Sequence, residues 1–329
     1  NRVGVFALQV GIDETLKCNL AIEDADALFG RPMGIPKTGI FGLYDLIGID
    51  LMADVVVSLG NILPADDAFH AVGAANSAIA AMIAAGFTGD KGKGGFYCLD
   101  GTKRMARQFA CYEGNDMPPL KPAKTKLPAA AIAAAEAAAR QDEPLFLLLD
   151  GHDDQARFCR RVLGRILHYA ASLVPSVTTT PQDIDDAMKL GFNWQRGPFE
   201  MIDAIGQQRF AALLDECGLT VPAFLEDGAP NYSVQAGSLM VRHADGARQP
   251  VNLPEGVMRF HMTRRTLHPI LTNDAASLFA LDGDLRLIEF HTKANALTDA
   301  SMEIVAAAAN DHGAGIIIHN DAQHFSAGV

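Results

Sequence analysis

The sequence predicts a mainly α-helical fold that ends in a short α/β segment, and three observations carry that expectation. Apolar residues recur at helical spacing in stretches such as RFCRRVLGRILHYAASLV, Arg157–Val174. An unusual signature occurs twice: PKTGIFGLYDLIG, Pro36–Gly48, returns as NWQRGPFEMIDAIG, Asn193–Gly206. At a common offset of 158, Gly39 matches Gly197, Phe41 matches Phe199, Asp45 matches Asp203 and Gly48 matches Gly206. Finally, a strand pattern (DLRLIEFHTK, Asp284–Lys293), a helical pattern (ASMEIVAAAANDHG, Ala300–Gly313) and a buried-type strand run (GIIIHN, Gly315–Asn320) follow one another.

Composition bounds the function. A chain of 329 residues is long for one domain, so two or three are expected. Hydrophobic residues make up 49% and charged residues 20%, the balance of a globular enzyme and not of a disordered chain. A net charge of −12 excludes a nucleic-acid partner, whose phosphates would be repelled. The cysteines, Cys18, Cys98, Cys111, Cys159 and Cys217, are odd in number, scattered and without a C-x-x-C pair. They read as reduced thiols of a cytoplasmic protein, most of them small core residues. No stretch reads as a signal peptide or a membrane span; the most apolar, Ala71–Phe87, is broken by Asn76 and Ser77.

In chain order, residues 1–111 read as a first helical domain with Gly/Pro-rich turns. Within it, Ala71–Phe87 is expected to be a buried helix, capped by Asp66–Asp67 and stopped near Gly86. Residues 112–144 read as a linker: a Pro- and Lys-rich stretch to 128, then an alanine-rich surface or tether helix over Ala129–Glu143. Residues 145–225 read as a second helical domain, 226–282 as a mixed connection of hairpins and loops, and 283–329 as the opening β-α-β of an α/β domain. A parallel strand needs neighbours and covering helices, so the chain is expected to be an excerpt from a longer polypeptide.

Each copy of the signature has the same physical grammar. An acidic helical segment leads in, Glu23–Gly30 or Gln182–Gly191, placing Asp26 opposite Asp185. A bulky turn follows, then glycine and phenylalanine, then a helix ending in Asp-x-x-Gly. Glycine permits a tight entry, phenylalanine plugs the core, and aspartate caps a neighbouring backbone. The signature is architectural more than catalytic.

As whole strings, GRPMGIPKTGIFGLYDLIGID (Gly30–Asp50) and DDAMKLGFNWQRGPFEMIDAIG (Asp185–Gly206) resemble the C-terminal helical domain of the 3-hydroxyacyl-CoA dehydrogenases. GDKGKGGFY, Gly89–Tyr97, resembles the string that closes the first such domain. The resemblance spans roughly residues 1–225. It implies tandem domains, the second a pseudo-symmetric packing partner that makes an internal pseudo-dimer of what two subunits form in single-domain relatives. The last fifth resembles a second family: LIEFHTKANALTDASM and HNDAQHFSAGV look like the opening of an enoyl-CoA hydratase, or crotonase-type, domain.

Together these imply a bifunctional fatty-acid β-oxidation enzyme acting on acyl-CoA thioesters, with a thiolase as a possible partner. It would oxidise (3S)-3-hydroxyacyl-CoA with NAD and hydrate enoyl-CoA at a second site. The nicotinamide domain with its catalytic His and Glu is expected outside this chain, as are the hydratase's paired carboxylates. The glycines of Gly89–Gly95 have the wrong spacing for a dinucleotide turn. By motif position, Asn1 is either the dehydrogenase's catalytic asparagine, in its Asn-Arg pair, or only a helix N-cap. Ala327 offers a backbone N–H to a thioester oxyanion, and Lys293 and Ala294 belong to the substrate-binding string.

Other candidates carry less. His312, His319 and His324, or His261 and His268, would need a shared face and a carboxylate or thiol to hold a metal, so none is expected. Arginines in RFCRRVLGR and MTRRTLH are CoA-phosphate contacts or helix-surface charges. Glu303 reads as a solvated face and His291 as core or a loop hydrogen bond. Two other readings remain open: a non-catalytic acyl-CoA-binding or interaction module, and the helical half of a different dehydrogenase, the 6-phosphogluconate type.

Overall fold

The computed structural model describes residues 1–74, 76–109, 117–125, 127–139, 145–257, 259–320 and 325–328. The chain divides into two compact units, one formed by Asn1–Ala135 with Pro144–Pro230, the other by Glu136–Glu143 with Asn231–Val329.

The first unit opens with α1 (Arg2–Lys17), buried along most of its length, and α2 (Ile22–Phe29). Then come α3 (Phe41–Ile47) and α4 (Ile49–Ile62), joined at Gly48. The expected single helix over Ala71–Phe87 is instead the shorter α5 (Ser77–Ala84), preceded by a 3-10 turn over Ala68–Ala71. Asp67 caps the turn and Asn76 caps α5, accepting the N–H groups of Ala78 and Ile79. The side chain at Asn76 starts a new helix where the composition suggested a continuous one, and of α5 only Ala78 and Met82 are buried.

Strands follow where helix and linker were expected. β1 (Tyr97–Asp100), β2 (Lys103–Arg107) and β3 (Leu120–Pro122) form an antiparallel meander. Its first turn places Gly101 at φ +60° after Asp100, an Asp-Gly hairpin signal that the sequence offered. The alanine-rich α6 is assigned over Ala129–Ala139 with Ala131 and Ala134 fully buried, so it is more than a surface tether; residues 140–143 of its expected span lie outside the described residues.

The second helical set is α7 (Leu145–Leu149), α8 (Asp154–Ser172), α9 (Pro181–Phe192), α10 (Pro198–Ile205) and α11 (Gln207–Glu216). The long helices α1 and α8 run antiparallel against each other. Phe6 stacks on Tyr169 near one end, with ring centroids 3.8 Å apart, while Glu14 meets Arg161 and Arg165 near the other. Glu14 is fully buried, so breaking this network would strand a charge.

The second unit begins with another antiparallel meander, β4 (Tyr232–Gln235), β5 (Ser238–Arg242) and β6 (Arg248–Pro250). Its register repeats that of the first: Tyr232 opposes Val241 as Tyr97 opposes Ala106, and Gln235 opposes Ser238 as Asp100 opposes Lys103. After the short α12 (Phe260–Thr263), β7 (Pro269–Thr272), β8 (Ala276–Leu281) and β9 (Leu285–Phe290) pair antiparallel. The boundary drawn at 282/283 thus falls inside the β8–β9 hairpin. α13 (Asp299–Asn310), capped by Thr298, then crosses over to β10 (Gly315–Ile318), which pairs parallel to β9. That is the β-α-β the sequence pattern announced. One sheet face packs Leu278, Ile288 and Phe290 on Ile304 and Ala308 of α13; the other carries Phe260, Phe279 and Leu287.

Candidate functional site

The repeated signature builds one corner twice. Asp26, on α2, accepts the backbone N–H groups of Ile40, Phe41 and Gly42 at 2.7, 2.7 and 2.9 Å, capping the start of α3. Asp185, on α9, accepts those of Phe199 and Glu200 at 2.8 and 3.2 Å, capping α10. The glycine before each phenylalanine is where the helices touch. A Cβ at Gly39 would lie 2.5 Å from the Cβ of Asp26, and one at Gly197 would lie 2.2 Å from the Cβ of Asp185. Phe41 and Phe199 are fully buried.

The aspartate at the far end of α3 does the same for the glycine-rich string. Asp45 accepts the N–H groups of Phe96 and Tyr97, each at 2.8 Å, and the Tyr97 hydroxyl donates to Asp26 at 2.8 Å. Burial raises Asp26 to about 6 against the opposing effect of its backbone donors and Tyr97. Burial raises Asp45 to about 6 as well, with Asp90 and Asp26 adding to it. A Cβ at Gly95 would sit 1.9 Å from an Asp45 carboxylate oxygen and one at Gly89 2.4 Å from the Asp45 carbonyl oxygen, so these two glycines permit close packing on Asp45. A loop wrapped around an acid does not fit a pyrophosphate.

At the start of α1, Asn1 is exposed and its side chain makes no capping bond; its carbonyl accepts the Val5 N–H at 2.9 Å. The N-cap alternative is therefore not realised by the side chain. Its neighbour Arg2 is tied down: Nε donates to the Tyr169 hydroxyl at 2.9 Å and Nη2 donates to Asp67. Tyr169 in turn donates to Asp67 Oδ1 at 2.8 Å. Burial pushes Tyr169 up to about 12, while Asp67 is held below its ordinary value because the Phe69 N–H, Tyr169 and Arg2 outweigh its burial.

In the second unit the two strings singled out from the sequence lie side by side. The Ala327 N–H donates to the Ala294 carbonyl at 3.0 Å, the Ser326 hydroxyl donates to the Asn295 carbonyl at 2.8 Å, and the Leu297 N–H donates to the Gly328 carbonyl at 2.7 Å. The Ala327 N–H is thus engaged within the fold. Ala294 is exposed in a left-handed conformation at φ +56°, and the Lys293 side chain lies outside the described residues.

Residue reasoning missed a polar row on the sheet. Thr272 and Ser277 hydroxyls lie 2.7 Å apart, and Ser277 lies 3.0 Å from His291 Nε2. Ser277 and His291 line a cleft of about 600 Å³ together with Arg264 and Glu289, which pair at 2.9 Å. The period-two alternation of Ser277 with core residues on β8 was the available signal.

The arginines of the two basic strings are mostly spent internally: Arg160 on Glu216, Arg161 and Arg165 on Glu14, Arg264 on Glu289. Glu303 is exposed on α13, and Cys18 and Cys159 are buried free thiols. Among the described residues no group of three or more His, Cys, Asp or Glu is placed to hold a metal ion, and no helix is long and apolar enough to cross a membrane. Cys111, His324 and the His261 side chain lie outside the described residues.

Two helical corners of one design, each followed by a meander of one register, define a duplicated helical-domain protein. Its stretches 1–98 and 158–252 match the family described as 3-hydroxyacyl-CoA dehydrogenase, C-terminal domain, and the chain belongs to that family. The second match runs on through the β4–β6 meander, past the expected end at 225. Among relatives, a protein of Bacillus subtilis (strain 168), provisionally named 3-hydroxyacyl-CoA dehydrogenase, is 27% identical across the whole chain. A protein of Rickettsia prowazekii (strain Madrid E), provisionally named fatty acid oxidation complex trifunctional enzyme, is 33% identical over 61% of the chain. The chain spans 41% of the former and 26% of the latter. A crystal structure of 3-hydroxybutyryl-CoA dehydrogenase from Escherichia coli overlays on 66% of the chain and 54% of its own, at 18% identity and a TM-score of 0.40, too loosely to bear on the site.

Proposed function

We propose that this chain is the substrate-side helical part of an enzyme that oxidises (3S)-3-hydroxyacyl-CoA to 3-oxoacyl-CoA in fatty-acid β-oxidation. The observation that carries the reading is the family match over two stretches, each containing one intact Asp–Gly–Phe corner. NAD would accept the hydride on a domain outside residues 1–329, since the glycine string here packs on Asp45. Within this chain, Asn1 is the residue whose side-chain amide would orient the reacting group, for it stands exposed at the head of a rigid, buried helix. The second copy packs on the first through α1 and α8 and serves as its internal pseudo-dimer partner.

The finer reading extends to residues 283–329 as the start of an enoyl-CoA hydratase-type domain. Support comes from the contact between the Lys293–Leu297 and Ser326–Gly328 strings, with Ala294 presented to solvent. The test is NADH formation from 3-hydroxybutyryl-CoA by the polypeptide carrying this chain together with a dinucleotide-binding domain, with and without Asn1→Ala. A folded protein that forms no NADH refutes the dehydrogenase reading. Unchanged turnover in the Asn1 variant removes Asn1 from the site.

A further inference from the structure

Arg2, Asp67 and Tyr169 come from three separate places: the first turn of α1, the cap of the Ala68–Ala71 turn, and α8 in the second copy. They close a triangle in which every pair is hydrogen-bonded. Asp67's side chain is 2% exposed and Arg2's 26%, so the triangle seals one side of Arg2 while the helix start beside it stays open. Two guanidinium nitrogens of Arg2 are engaged by different partners, which fixes the plane of the group as well as its place. The Tyr169 ring already fills the core by stacking on Phe6, a role a phenylalanine would serve equally. Its hydroxyl is surplus to packing and is spent entirely on Arg2 and Asp67.

We propose that Tyr169, although it belongs to the second copy, is a positioning residue for the oxidation: through Arg2 and Asp67 it holds the first turn of α1, and with it Asn1. This rests on the reading of Asn1 given above. The chain of ties is short. Arg2 directly follows Asn1, and the Asn1 carbonyl is bonded to the Val5 N–H, so Asn1 is fixed by one backbone bond and by its neighbour's side chain. Tyr169 is held well above physiological pH by burial, so it remains a hydroxyl that accepts from Arg2 and donates to Asp67, with no acid–base part. The duplication thereby supplies more than a packing face: it brings a polar anchor to the reacting end of the first copy.

The experiment is steady-state kinetics on the polypeptide that carries this chain with its dinucleotide-binding domain, using 3-hydroxybutyryl-CoA. Tyr169→Phe keeps the stack and deletes the hydroxyl. We expect kcat to fall about tenfold, the scale of a sub-ångström misplacement, with KM unchanged within about twofold. Asp67→Asn should give the same kcat-against-KM split. In an Asn1→Ala background, Tyr169→Phe should cause no further loss, because the group it positions is gone. Unchanged kcat in Tyr169→Phe overturns the proposal, as does a loss that persists in full in the Asn1→Ala background, which would mark a general structural role. If Asn1→Ala lowers kcat and Tyr169→Phe does not, only the positioning role falls. If Asn1→Ala itself has no effect, both readings fall.

Discussion

Adding one methyl group at Gly197 tests the corner most directly. The new Cβ would lie 2.2 Å from the Cβ and Cγ of Asp185 and 2.4 Å from its Cα. Ordinary carbon contacts are about 3.5–4.0 Å. The obstacle includes backbone, so α10 must retreat from α9 by on the order of 1 Å. That retreat stretches the bonds from Asp185 to Phe199 and Glu200, now 2.8 and 3.2 Å, out of range. Overpacking costs about 1–3 kcal/mol, and a bond to a charged group contributes about 1.5 kcal/mol or more. Gly197→Ala should therefore destabilise the chain by about 4–6 kcal/mol. Gly39→Ala meets the same obstacle at 2.5 Å but also forces alanine to φ +71°, which adds about 1–2 kcal/mol. Gly197 has an ordinary negative φ of −74°, so the difference between the two variants isolates backbone strain from crowding. Gly191→Ala, on α9 with open space at its Cβ position, is the control and should stabilise by about 0.5–1 kcal/mol. The assay is urea unfolding followed by Trp194, the sole tryptophan, buried in this corner. A Gly197→Ala variant within about 0.5 kcal/mol of the parent would refute the close-approach argument. A Gly39→Ala variant no worse than Gly197→Ala would refute the strain argument.

Three further outcomes are expected. Phe41→Ala and Phe199→Ala should each cost about 3–5 kcal/mol in the same unfolding assay, as emptied core aromatic sites do; a cost below about 1 kcal/mol at either would mean the pocket collapses freely. Asp26 is raised from 3.8 to about 6 in the fold, so its contribution to stability is full below pH 3.8 and is lost as pH rises through about 6. Urea midpoints compared between pH 7 and 4.5 should show the parent gaining on Asp26→Asn as the pH falls, and a constant gap would show that the carboxyl does not titrate there. The chain by itself should neither retain NAD nor form NADH, because its glycine string encloses Asp45; saturable NAD binding by calorimetry would refute that.

The sequence by itself determined the duplication. Gly39 and Gly197, and Phe41 and Phe199, could be paired by a common offset, and Asp26 and Asp185 by an offset one residue longer, because a glycine where helices touch and a phenylalanine plugging a core are dictated locally. It also determined the closing β-α-β, whose period switches from two to helical and back. The second meander fell in the stretch expected to hold hairpins, but the first was within reach and passed over: Asp100–Gly101 marks its turn, while its short strands carry little alternation. Tertiary structure alone decided which partner each polar group finds. Nothing near Asn1 in sequence names Tyr169, 167 positions from the Arg2 it holds, and nothing in HFSAGV says that the Ala327 N–H will be taken by Ala294. The reason is physical: local patterns fix where a side chain points along its own helix or strand, but a buried donor is satisfied by whichever acceptor the packing of distant elements delivers.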